Sequence, residues 1–168
     1  TAGEIRVSGS KVTGPGADRG MVFQEYALLP WKTTQANVEF GLRLKGVARE
    51  ERARIARRFI DLVGLSGFES KYPHQLSGGM RQRAAVARVL ANNPTVLLMD
   101  EPFAAVDAMT RQRLQEELTV ITATERTTVM FVTHAIDEAV FLSDRVIALS
   151  GRPGRVVADI DIDLPRPR

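Results

Sequence analysis

Cysteine is absent from this 168-residue sequence, which excludes disulfides and thiolate metal centres. No apolar stretch approaches the roughly 20 residues that a membrane-spanning helix needs. No secretory signal pattern is present either. A strong charge of one sign is also missing. Twenty-three Lys and Arg face 20 Asp and Glu, leaving +3, too small an excess to argue for nucleic acid. The sequence pI of about 9.7 suits an anionic ligand or a membrane-adjacent surface. The chain begins at Thr1 rather than at methionine, and the expectation is that its start has been removed or lost. What remains is ordinary for one soluble globular domain with a real core, at 44% hydrophobic and 26% charged residues.

Patterning along the chain predicts alternating strands and helices. Glu4-Ile5-Arg6-Val7 alternates like a strand, Ser8-Gly9-Ser10 turns it, and Lys11-Val12-Thr13 returns as the second arm of a hairpin. After the loop Gly14-Pro15-Gly16-Ala17-Asp18, Met21-Val22-Phe23-Gln24 reads as a short buried strand. Helical periodicity runs from Thr34 to about Ser70. It is clearest over Glu50 to Val63, with Ile55, Phe59 and Leu62 on one stripe, the arginines on a solvated face, and Gly64 as the cap. Ser77-Gly78-Gly79 opens a helix whose Met80, Ala84, Ala87 and Ala91 face the core, and Asn92-Asn93-Pro94 stops it.

Val96 to Met99 is a continuous apolar run, as expected for a parallel strand covered on both faces. A helix from about Ala108 to Ile121 follows, then a second buried strand over Thr127 to Val132 ending at Thr133-His134. A short helix spans Ala135 to Leu142, a further strand Arg145 to Leu149, and the alternating tail Arg155 to Leu164 suggests an edge hairpin. No internal repeat is visible. Strands alternating with helices predict an α/β fold with a mainly parallel sheet.

Two runs carry chemistry. Leu76-Ser77-Gly78-Gly79-Met80-Arg81-Gln82-Arg83 places a Ser-Gly-Gly turn at a helix start, where unhindered backbone N–H groups and the positive end of the helix dipole meet a phosphate. Val96-Leu97-Leu98-Met99-Asp100-Glu101-Pro102 is an apolar strand ending in two carboxylates, a metal-associated one and a candidate general base.

In this order the two runs resemble the signature motif and Walker B strand of ATP-binding cassette (ABC) ATPases. Phe23-Gln24 is similar to the Q-loop of that family, Ala105-Val106-Asp107 to its D-loop, and Val132-Thr133-His134 to its switch-histidine strand. The resemblance covers nearly the whole chain and implies a partial P-loop NTPase fold. Residues of about 1–24 and 93–168 would belong to the RecA-like core portion, and about 25–92 to a helical subdomain that includes the signature motif. It also implies ATP and Mg²⁺ as ligands. Asp100 would hold the metal, Gln24 would serve the metal and the water while its loop senses the γ-phosphate, Glu101 would polarise the attacking water, and His134 would contact the γ-phosphate and orient that water. Ser77, Gly78, Gly79 and Gln82 would meet a nucleotide held mainly by a second subunit, and Asp107 would sit at the dimer seam or cap the following helix.

Leu28-Leu29-Pro30-Trp31, Asp18-Arg19-Gly20 and Ser150-Gly151-Arg152-Pro153-Gly154-Arg155 look like importer ATPases of the nitrate/sulfonate/taurine group. The implied partners are a second ATPase subunit, transmembrane permease subunits and, indirectly, a solute-binding protein, with no nucleic acid. The implied place is peripheral, on the cytoplasmic face of the cell membrane. Trp31 would either receive a coupling helix of the membrane subunit or belong to the core.

The family's phosphate-binding loop, Gly-x-x-x-x-Gly-Lys-Ser/Thr, does not occur; Gly9-Ser10-Lys11 is followed by Val12 and lacks the earlier glycine. Two readings follow. The chain is an N-terminally truncated transporter ATPase whose intact parent hydrolyses ATP while the fragment does not, or it is a non-catalytic interaction module.

Overall fold

The computed structural model describes residues 3–23, 26–104, 106–125, 127–166 and 168. The chain runs β1 (Arg6–Val7), β2 (Ser10–Lys11), β3 (Arg19–Val22), α1 (Thr34–Leu44), α2 (Arg49–Leu62), a 3-10 turn (Pro73–Gln75) and α3 (Gly78–Leu90). It continues through β4 (Val96–Asp100), α4 (Ala108–Glu125), β5 (Thr128–Val132), α5 (Ile136–Leu142), β6 (Arg145–Leu149) and β7 (Val156–Asp161).

Local chemistry sets many of these boundaries. The β1–β2 hairpin closes over Ser8 and Gly9 at φ 49° and 77°, the doubly left-handed turn that matches strand twist. Thr33 caps α1 by accepting the Ala36 N–H at 3.2 Å. Gly64 terminates α2 at φ 64°. The stripe of α2 is rotated slightly from the expected one: Ala56, Phe59, Ile60 and the following Val63 are buried, while Ile55 and Leu62 flank the core. Arg54, Arg57 and Arg58 are solvated as expected, Arg58 reaching Glu125 of α4 from the surface, whereas Arg52 is half-buried and reaches Glu39 of α1 at 3.0 Å and the Val47 carbonyl.

Strands β3, β4 and β5 form a parallel sheet with β4 in the middle. Helix α3 lies against β3 so closely that a Cβ on Gly20 would collide with Val89 Cγ1. This fixes which face of the sheet is covered. Leu97 and Met99 are buried, with Val129 and Phe131 packed beside them. The expectation of strands buried on both faces is corrected here. On the other face Met21, Met130 and Val132 are exposed, so β5 alternates rather than lying inside. A continuous apolar run does not reveal how many faces are covered. Strands β6 and β7 pair antiparallel as a separate sheet. No helix among the described residues is long and apolar enough to cross a membrane.

The loop before α1 is held from within. Asn37, fully buried, accepts the Leu29 N–H at 2.8 Å, and its Nδ2 faces the carbonyls of Leu29, Lys32 and Thr33. This arrangement presents Trp31 outward at 70% exposure, which removes the core reading of that side chain. Trp31→Ala is therefore expected to change unfolding free energy by no more than about 0.5 kcal/mol, as for exposed positions generally. A thermal melt checks it, and a large loss of stability would contradict the outward placement.

Candidate functional site

Parallel pairing of β4 with β5 brings Asp100 opposite Val132, so the residues just beyond, Glu101 and Thr133-His134, leave the sheet side by side. The C-terminal ends of parallel strands are where ligands of open α/β sheets collect. The Glu101 N–H donates to the Val132 carbonyl at 3.0 Å, carrying the pairing one residue past the strand. Glu101 itself adopts φ 42°, a left-handed conformation that is uncommon for a residue with a side chain. The following residues hold it there. Pro102 and Phe103 are buried, and Phe103 stacks obliquely on Phe131 at 5.6 Å. The Ala104 N–H also returns to the Glu101 carbonyl at 3.2 Å. Strain retained by surrounding packing is a recurrent property of functional sites.

The consequence is a meeting of two side chains. His134 Nδ1 lies 3.4 Å from Glu101 Oε1, with the imidazole mostly exposed and the carboxylate partly covered. They border a cavity of about 40 Å³ lined also by Ala104, Arg111, Thr133, Ala135 and Glu138. Beside it Asp100 ends β4 with an exposed side chain. A partly shielded carboxylate next to an imidazole and a second, solvated carboxylate can bind a water, accept its proton and sit against an anion with a hydrated cation.

The other expected residues lie elsewhere. Ser77 is the N-cap of α3, its Oγ accepting the Met80 N–H at 3.3 Å, so Gly78 and Gly79 form the first turn at a capped helix start. None of the three lines the Glu101–His134 cavity. Gln82 is fully buried on α3, and neither of its amide atoms has a hydrogen-bond partner among the described residues. Asp107 immediately precedes α4, its carbonyl accepting the Arg111 N–H at 2.8 Å. Gln24 and Ala105 lie outside the described residues. Among the described residues no group of three or more His, Asp and Glu is gathered as a metal cluster.

Three residues at the site were not singled out from sequence: Arg111, Thr133 as a hydrogen-bonding group, and Glu138. Glu138 is 5% exposed and accepts from Thr133 Oγ1 at 2.7 Å. An acidic residue in the first turn of a short helix reads from sequence only as complement to the helix dipole.

The sequence matches the ABC transporter family over residues 1–104. An ABC transporter ATP-binding protein of Methanocaldococcus jannaschii is 60% identical over all 168 residues, which make up 63% of that protein. The nitrate import ATP-binding protein of Synechocystis is 52% identical over 165 residues, 98% of this chain and 62% of its own length. The taurine import ATP-binding protein of Rhizobium johnstonii is 51% identical over 164 residues, 98% of this chain and 63% of its own. Among solved structures, a dimeric ATP-binding cassette in a post-hydrolysis state with ADP and Pi superposes with a TM-score of 0.82 at 33% identity. That match covers 96% of this chain and 74% of the cassette. The chain belongs to the ABC transporter family, and its fold is that of an ABC ATPase cassette. It spans a little under two thirds of the length of the curated relatives it matches.

Proposed function

We propose that this chain supplies the hydrolytic side of the ATP site in the ATPase subunit of an ABC importer for a small solute of the nitrate, sulfonate or taurine type. The observation that carries the reading is the Glu101–His134 pair at the ends of β4 and β5. Glu101 Oε1 accepts a hydrogen bond from water and takes its proton as the water attacks the terminal phosphorus and the P–O bond to the β-phosphate breaks, releasing ADP and phosphate. His134, turned outward, orients that water and faces the γ-phosphate oxygens. The exposed carboxylate of Asp100 fits Mg²⁺, held directly or through water, and the Gln24 amide would serve the same ion; the ion when bound neutralises charge on the phosphates. Ser77, Gly78 and Gly79 offer the start of α3 to a nucleotide held mainly by a second subunit, with Gln82 buried behind them and Asp107 at the seam.

The reading extends to partners by similarity to the nitrate and taurine import proteins. The subunit would dimerise and lie peripherally on the cytoplasmic face of the membrane, against permease subunits. Exposed Trp31 is the residue offered to them. Trp31→Ala, folded as argued above, should bind those subunits more weakly in a pull-down, and undiminished capture would remove Trp31 from the interface.

The sequence contains no Gly-x-x-x-x-Gly-Lys-Ser/Thr loop, the nest of N–H groups and lysine charge that grips the β- and γ-phosphates. The 168-residue chain alone is therefore expected to bind Mg-ATP weakly and not to hydrolyse it. Calorimetric titration checks this, and micromolar affinity at one nucleotide per chain would reveal a separate nucleotide site. The catalytic reading is tested by joining the chain to the phosphate-binding segment of a family member and measuring phosphate release. Nucleotide binding without any hydrolysis would favour the interaction-module reading instead.

A further inference from the structure

The buried carboxylate of Glu138 has no part in the proton transfer just described, yet it contacts Thr133 and Arg111 beside the pair. Thr133 Oγ1 accepts the Ala135 N–H at 3.0 Å and lies 2.7 Å from Glu138 Oε2. The hydroxyl donates to Glu138 while accepting from Ala135, so two hydrogen bonds hold the Thr133 rotor. The two residues flanking His134 are thereby tied together. The second oxygen, Oε1, faces Arg111 Nε at 3.7 Å, and that nitrogen is buried with no hydrogen bond among the described residues. The same guanidinium donates through Nη2 to the Val106 carbonyl at 3.0 Å. A chain of contacts thus runs Ala135–Thr133–Glu138–Arg111–Val106, from the backbone beside His134 to the residue before Asp107.

We propose that Glu138 is a positioning residue. Through Thr133 it holds the His134 segment so that the imidazole stays on Glu101, and through Arg111 it makes that placement depend on the segment Val106-Asp107. His134 needs such a support because its own ring is 76% exposed, so packing does little to fix it. A carboxylate taken out of water is retained only with hydrogen-bond and charge partners, and here those partners are the groups that flank the catalytic pair. The role in catalysis rests on the function proposed above, whereas the geometric claim does not.

The experiment uses the 168-residue chain for geometry and the hydrolysing fusion for catalysis. In NMR spectra of the chain, His134 and His74 are the only histidines, so His74 serves as the internal reference. Thr133→Val and Glu138→Ala should each abolish the nuclear Overhauser contact between the His134 ring and the Glu101 side chain. Both should also speed amide exchange at Ala135 by about tenfold, as expected for loss of one local restraint. Thr133→Ser should restore both. In the fusion, the same substitutions should lower kcat by about 10- to 100-fold, the scale of a small misplacement of reacting groups, with KM for ATP little changed.

A role limited to stability would lower the melting temperature while leaving the His134–Glu101 contact and Ala135 exchange as in the parent, and that result overturns the proposal. Should Glu138→Ala fail to fold, Thr133→Val decides by the same two readouts. If the geometric effects appear and the fusion never hydrolyses ATP, the catalytic reading fails and the positioning claim stands.

Discussion

Glu101→Gln should lower ATP turnover by roughly 10²- to 10⁴-fold, the usual share of general-base catalysis, while nucleotide affinity stays near the parent value. Glutamine is close in size and has a similar backbone cost at φ 42°, so buried Pro102, Phe103 and Val106 should keep their places. Its amide oxygen can still face His134 as the carboxylate does. What it lacks is the capacity to take a proton at neutral pH, and only the step that needs this should suffer. Phosphate release and nucleotide binding by the fusion separate the two effects. An unchanged rate would show that Glu101 is not the base. A matched loss of affinity and rate would assign it to ground-state binding instead.

Phe103→Ala should destabilise the fold by about 3–5 kcal/mol, the range for deleting a buried aromatic ring. For a chain of this size the melting temperature should fall by roughly 6–20 °C. The ring is 2% exposed and stacks against Phe131. It is also a buried apolar anchor two residues after Glu101, whose strained backbone persists only while its surroundings enforce it. The variant should accordingly lose catalysis beyond what its folded fraction explains, whereas Phe103→Leu, keeping most of the apolar contact, should lose less of both. A melt no lower than the parent's would show that the ring contributes little to packing. Full activity per folded molecule would show that it does not hold Glu101.

Much of this architecture is local and therefore legible in the sequence. Gly9 and Gly64 mark the first hairpin and the end of α2, because each occupies a left-handed conformation that glycine adopts without steric cost. Ser77 marks the start of α3 because a hydroxyl there can take an otherwise unpaired helix N–H. Val96-Leu97-Leu98-Met99 marks a strand, and the ordered runs around Ser77, Asp100 and His134 mark the family, since their residue types serve one chemistry in common.

Tertiary structure alone decided the rest. The 3.4 Å meeting of Glu101 with His134 follows from the register that sets Asp100 opposite Val132, a relation between strands that neither strand encodes by itself. The unequal burial of the two faces of β4 and β5 depends on which face α3 covers, and an apolar run looks the same in either case. Trp31 points outward because Asn37 gathers the carbonyls beneath its loop. Glu138 is buried because Thr133 and Arg111 converge on it from two other elements. Sequence fixes what each segment prefers by itself. Contacts between distant segments select, among polar side chains that look alike in sequence, the few that are taken out of water and held in place.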